Sequence, residues 1–458
     1  MIAEPRIAGG PLTFLNKRVR LLAETFLTMF RSRRGKLTLV LTATLLAGTA
    51  GMTFERYLAE TEPVPEAGGV YVEGVTGNRN QFMDIASRLT QAGLVSLTAN
   101  RQVIPILAEA WALSEDGETY TFILREGVSS EEVARIAKEQ ELFKTVSIET
   151  PDPRTVVFRL KQPFGPFLSF LSLPLFTPGP YVLDSELENE LTFTANPSFP
   201  VGKPFLEHIT VRMYADNRAL KQAAARGEIS GAVTEESIAR WQRFTTPLPR
   251  TIQAIVNIEK VVLNDHAVRK ILFAGESLPE APTVRIVTTP QLKMYAEDLR
   301  TRWETQNVSA TIELIEDATI RQSVIPKREY DVLVYGVDSG TEPDPYRFWH
   351  SSQATETGLN LAQLKDEELD GLLEEARKIV SDEKRFPKYQ EIEQKITELA
   401  VRLILEQVSV TYQMSPLLKG VEQPFMINPA SRYNFSWKWY TNERRVPRKT
   451  EDGGQKTE

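Results

Sequence analysis

The chain has no cysteine among its 458 residues. That absence excludes a disulfide framework, thiolate metal sites, thiol catalysis and a lipid-modified cysteine anchor. Histidine is scarce as well. The three histidines, His208, His266 and His350, stand far apart, which leaves little for a zinc enzyme, and the sequence implies neither a metal nor a cofactor. No G-x-S-x-G, H-E-x-x-H or P-loop pattern occurs. Adjacent carboxylates such as Glu131 with Glu132 and Glu374 with Glu375 read as solvated helix faces, not as an acid/base pair set around a substrate. The expectation is a protein without catalytic residues.

What is present is a globular composition, 41% hydrophobic and 25% charged. The length exceeds one ordinary core at roughly 150 residues per domain. The net charge of −7 conceals an asymmetry: residues 1–36 hold eight Lys/Arg against two Glu, leaving −13 for the remainder. An acidic body argues against nucleic acid as a partner.

From Leu37 to Phe54 the chain runs 18 residues without a charge. At about 1.5 Å per residue such a helix just crosses a hydrocarbon core of roughly 30 Å. Arg31, Arg33, Arg34 and Lys36 precede it, while Glu55, Glu60, Glu62 and Glu66 follow. The positive-inside rule therefore places the N-terminus in the cytoplasm and the body outside. A cleaved signal peptide is the rival, with Gly48, Thr49 and Ala50 as small residues at a cleavage site. The expected organisation is a basic cytoplasmic segment over 1–36, a transmembrane anchor over 37–54 and a linker over 55–68. A folded body over 69–440 and a disordered tail over 441–458 complete it. Apolar residues from Phe14 to Phe30 among Lys17, Arg18 and Arg20 suit either a helix lying on an anionic leaflet or an extension of the span.

Within the body, strand and helix patterns alternate. Asp116-Gly117 marks a hairpin between Ala110–Leu113 and Thr119–Leu124, and Pro151 to Arg154 marks a second. Ser129 caps a short helix with acidic first-turn residues. Later, strands at 283–288, 310–314 and 330–335 alternate with helices at 291–305 and 318–325, which implies βαβ units and a parallel sheet. Functional loops gather at the carboxyl ends of such strands, so the loop after Tyr335 is a natural ligand wall. The fold class is α/β.

The order of several segments resembles the bacterial extracellular solute-binding proteins of family 5, the peptide, dipeptide and nickel receptors of ABC importers. The segments are GVYVEGVTGNRN, LAEAWALSEDGETYTFILREGV, VSIETPDPRTVVFRLKQPFGPFL and TANPSFPVGKPFLEHITVRMYAD. ALKQAAARGEISGAV, LNDHAVRKIL, YDVLVYGVDSGTEPDPYRFWHSS and GLNLAQLKDEELDGLLEEAR follow in the same order. The resemblance implies a two-lobed, type II periplasmic binding protein-like fold with a central cleft and hinge. Lobe one would comprise 69–248 plus 401–440 and lobe two 250–400, each with its own sheet. It also implies a monomer that closes on a peptide and serves an ABC permease and ATPase. Two segments usual in the family are shortened here, after GVSSEE and after VRKIL. They favour the alternative of a degenerate relative, an anchored envelope scaffold or sensor without transport.

The resemblance further implies that a carboxylate in the loop after Tyr335 pairs with a peptide's α-ammonium, and Asp338 is the best candidate. Asp344 is the second, although both residues also suit turn formation, with Asp344 capping the helix that Pro345 opens. Trp349 is a candidate stacking surface and equally a residue that packs the loop onto the sheet. Asn360, and Asn78 with Asn80 in the first glycine-rich turn, are candidate partners for a peptide backbone, or simply turn formers.

Overall fold

A computed structural model describes residues 33–448, apart from residue 281. The described chain falls into two compact units, residues 33–65 with 443–448 and residues 66–442. In the first, the helix Arg33–Glu60 is long and apolar enough over Lys36–Glu60 to cross a membrane, by length and composition. It continues six residues beyond the expected span. Residues 61–66 then pair as a strand with 442–447. This corrects two expectations, since the linker is partly helix and strand, and the first part of the tail is ordered. Pro63 and Pro65 are tolerated because a two-stranded ribbon leaves half its N–H groups unpaired. Arg445 fixes the pairing by donating to Thr61 Oγ1 at 2.8 Å and to the Thr61 carbonyl at 2.8 Å. Residues 1–32 and 449–458, with the expected leaflet helix and the end of the tail, lie outside the described residues.

The second unit is built on a ten-stranded mixed sheet. Its strands in chain order are β1 (Val70–Thr76), β2 (Tyr181–Glu186), β3 (Glu190–Ala195), β4 (His208–Tyr214) and β5 (Gly231–Val233). They continue with β6 (Gln242–Val256), β7 (Thr283–Thr288), β8 (Ser309–Leu314), β9 (Val332–Asp338) and β10 (Arg402–Met414). The spatial order is β8-β7-β9-β6-β10-β5-β1-β4-β3-β2. The expected βαβ rhythm is present: β7, β8 and β9 are parallel, with the helix Lys293–Glu304 between the first two.

One expectation is corrected. Instead of two separate sheets there is one hydrogen-bonded ladder, because β6 and β10, 15 and 13 residues long, run through both halves. At about 3.3 Å per residue each reaches roughly 40–50 Å. Their pairing breaks register between Pro247 and Thr251. The bulge is held by Gln407 Nε2, which donates to the carbonyls of Leu248 at 2.5 Å and Arg250 at 3.0 Å. A proline-bearing bulge bends a strand and is a natural place for the ladder to flex.

Four main cores flank this ladder. On one side of the bulge, Tyr71, Phe82, Tyr181, Phe193 and Trp439 pack together. Tyr120, Phe122, Phe158 and Phe167 form a second core under the antiparallel sheet of 108–113, 119–124, 155–159 and 147–152. Beyond the bulge, Tyr330, Trp349, Tyr389 and Ile392 cover one face and Ile286, Trp303, Val332 and Val334 the other.

Candidate functional site

The loop after β9 begins where the parallel strands end. Two cavities of about 530 and 550 Å³ open beside it, and they share Gln253, Val337, Phe348 and Trp349 as lining residues. Cavities of some 300–1,000 Å³ with a mostly apolar lining and a few polar groups are the usual form of a ligand site. The pairing that builds the floor follows from register: Gln253 of β6 lies opposite Tyr335 of β9 on one side and Ile404 of β10 on the other. Gln253 is buried, and its Nε2 donates to Thr251 Oγ1 at 2.7 Å. Its Oε1 has no partner among the described residues.

The expected site residues divide clearly. Asp338 lines the first cavity, is exposed, and accepts from the Gly340 N–H at 2.8 Å. It makes no ion pair within the described residues, so its carboxylate retains lone pairs for a ligand. Trp349 is 5% exposed and lines both cavities, with the Arg402 guanidinium 5.4 Å above its ring. Its role is therefore shared between packing and cavity wall.

Asp344 lines the second cavity, with its carboxylate held by neighbours. Its Oδ1 accepts from the Tyr346 N–H at 3.1 Å, and its Oδ2 pairs with Arg377 Nε at 2.8 Å. Both oxygens are engaged inside the protein. Asn360, by contrast, is corrected to a structural residue: fully buried, its Nδ2 lies within 3.2 Å of the carbonyls of Trp349, His350 and Leu364. No polar atom is left over, since Oδ1 accepts from the Leu364 N–H at 3.1 Å. Asn78 caps the helix Arg79–Thr90 by accepting from Gln81 N–H at 3.2 Å, and it lines a smaller cavity of about 120 Å³. Asn80 is exposed in the first turn of that helix and lines none of the cavities described. His350 stacks on Tyr346 at 4.1 Å. Among the described residues no three metal-ligating side chains gather.

Two clusters of buried charge were not anticipated. In the first core, Glu73 is fully buried and accepts from Tyr71 at 3.0 Å, from Tyr433 at 2.5 Å and from Arg432. Burial pushes the Tyr71 and Tyr433 phenols far up, and the Glu73 charge adds to it. The second cluster centres on Glu342, in the same loop as Asp338. Its side chain, 1% exposed, meets Arg101 Nη2 at 3.0 Å, Ser169 Oγ at 2.8 Å, Arg385 Nε at 3.1 Å and Tyr389 Oη at 3.1 Å. Such a buried carboxylate is tolerable only with its oxygens satisfied.

With this geometry in view, comparison with known proteins is decisive for the fold. The profile of the bacterial extracellular solute-binding proteins, family 5 Middle, matches residues 134–272. Over that segment the chain is similar to this family. It is 22% identical over 439 residues to the probable D,D-dipeptide-binding periplasmic protein DdpA of Escherichia coli K12, covering 71% of this chain and 84% of that one. To the glutathione-binding protein GsiB of the same strain it is 30% identical over 179 residues, 30% of this chain and 35% of that one. The oligopeptide-binding protein AppA of Bacillus subtilis, solved in complex with a nonapeptide, superposes with a TM-score of 0.62 at 17% identity. That match covers 82% of this chain and 99% of AppA. The fold is accordingly α/β and type II periplasmic binding protein-like. The family comprises extracytoplasmic, non-enzymatic substrate-binding proteins of ABC transporters.

Proposed function

We propose that this chain is a membrane-anchored receptor that binds peptides in the groove of the two joined cavities and delivers them to an ABC permease and its ATPase. One observation carries the reading. The groove presents the exposed carboxylate of Asp338, which makes no ion pair among the described residues, and an aromatic wall at Phe348 and Trp349. A fixed negative charge in a partly dry cleft reads a free amino terminus far better than one in water. Lobe one would comprise 69–248 and 401–440, and lobe two 250–400. The bulge at Pro247 to Thr251 would serve as the hinge, with closure favoured by ligand contacts on both lobes.

Residues 37–54 within the helix Arg33–Glu60, with basic residues before them and acidic ones after, would anchor the body outside the membrane with a cytoplasmic N-terminus. Protease added outside intact spheroplasts should then digest the body and spare the N-terminal segment.

Asp338→Asn keeps turn propensity and removes the charge. Affinity for free-amine peptides should fall by about 1.5–3 kcal/mol, the range for a charge-assisted hydrogen bond. N-acetylated peptides should bind the wild type more weakly and be indifferent to the substitution. Equal binding of free and acetylated peptides to the wild type contradicts the role of Asp338. Failure of every peptide to bind favours the anchored scaffold.

A further inference from the structure

The loop between Asp338 and Tyr346 is gripped from the far side of the groove. Arg101 stands at the turn between strands Val95–Leu97 and Val103–Pro105, whose Val95 belongs to the core around Phe122 and Phe158. Its backbone adopts φ +62°, a conformation that side-chain-bearing residues rarely take. The conformation sends the guanidinium out of its own core and onto the loop. There Nη2 donates to the Thr341 carbonyl at 2.7 Å and to Glu342 Oε2 at 3.0 Å. The same guanidinium lies 4.3 Å from the Phe425 ring centroid and 5.2 Å from that of Phe386.

Glu342 completes the bridge. One oxygen, Oε2, accepts from Arg101 and from Ser169 Oγ, both carried by elements of the Phe122 core. The other, Oε1, accepts from Arg385 and Tyr389 on the helix Asp382–Glu398, which packs the Tyr330 core. A single buried carboxylate thus divides its lone pairs between the two sides. The grip is repeated nearby. The Gly165 N–H donates to the Arg377 carbonyl at 2.8 Å, and Arg377, which holds Asp344, also lies 5.2 Å from the Phe164 ring. Gly165 has no room for a side chain: a Cβ there would meet the Ile379 carbonyl oxygen at 2.1 Å and Arg385 Nη1 at 2.5 Å.

We infer that Arg101 is a positioning residue, acting from lobe one through Glu342 to latch lobe two and to set the Asp338 loop before ligand arrives. The assignment of lobes and groove rests on the function proposed above. The chain then rests closed without ligand. A ligand must wait for the latch to open, and once bound it is released slowly.

The absence of cysteine makes the test clean. Glu115, two residues before the Gly117 that faces Val380, and Glu383, two residues before Arg385, are exposed on the two sides of the contact, and neither makes a side-chain hydrogen bond or ion pair among the described residues. Spin labels at Glu115→Cys and Glu383→Cys in the full-length chain in detergent micelles report the gap by pulsed electron resonance. The wild-type background should show a short distance that mixed peptides leave unchanged. Arg101→Ala should lengthen it without peptide, with peptide restoring the short distance and dissociating about tenfold faster or more. Gly165→Ala, which wedges the same contact and leaves every charge in place, should lengthen it too and decides the matter if Arg101→Ala does not fold.

A merely structural role for Arg101 lowers the melting temperature and leaves the distance alone. A long distance in the ligand-free wild type, or the short distance retained in the folded variants, overturns the latch. If no peptide binds, the receptor reading fails by itself, while the ligand-free distances still decide the latch.

Discussion

Replacing Glu73 by leucine should destabilise the fold by about 3–5 kcal/mol, because the substitution strands Arg432 as an uncompensated charge in a closed core. Arg432 is 4% exposed and donates to Glu73 and to the Pro429 carbonyl, while Tyr71 and Tyr433 also give their hydroxyls to Glu73. All three donors lose their shared acceptor at once. The paired variant Glu73→Leu with Arg432→Met should recover most of the loss, since a buried ion pair replaced by well-packed apolar side chains is often neutral. Urea unfolding of the four proteins of this cycle reads the effect directly. A single-variant loss under about 1 kcal/mol would mean that water reaches the cluster, contrary to the burial described.

Trp303→Ala should cost a comparable 3–5 kcal/mol by cavity formation. Trp303 is fully buried against Leu272, Leu278, Leu299 and Val308, and its own carbonyl accepts from the N–H groups of Gln306 and Val308 at 2.9 and 3.0 Å. The backbone turn that follows the helix keeps the site from collapsing onto the void. The expected readout is a lower urea midpoint with an unchanged slope. An unchanged midpoint contradicts the packing of this core.

The sequence reveals elements whose pattern is local. The strand Thr283–Thr288 falls where its apolar run predicts, and Ser129 caps its helix by accepting from Glu132 N–H at 3.4 Å. Each needs only neighbours a few residues away. β6 escapes such reading because Pro247 and Pro249 interrupt it, and proline within a run ordinarily demotes a strand. The bulge that absorbs those prolines depends on Gln407, some 160 positions along the chain. The same distance problem hides the Glu342 cluster, whose partners at 101, 169, 385 and 389 share no motif.

Among the site residues, Asp338 and Trp349 line the first cavity and Asp344 the second with its carboxylate engaged by Arg377, whereas Asn360 is fully buried, and no spacing rule separates these outcomes. The polar atoms of Asn360 are consumed by carbonyls of its own loop. Asp344 is claimed by Arg377, which sequence alone places on a solvated helix. Gln253 carried no signal at all, being one polar residue in a buried strand, and only the lack of a partner for Oε1 singles it out.

Peptide-dependent stabilisation of the full-length chain tests the central claim most directly. Thermal unfolding in detergent micelles, with mixed peptides of two to ten residues, should show a saturable rise. At a ligand concentration one hundred times the dissociation constant the gain should be about 2.7 kcal/mol. No stabilisation by any peptide, at concentrations where free amino termini are abundant, would contradict a peptide receptor.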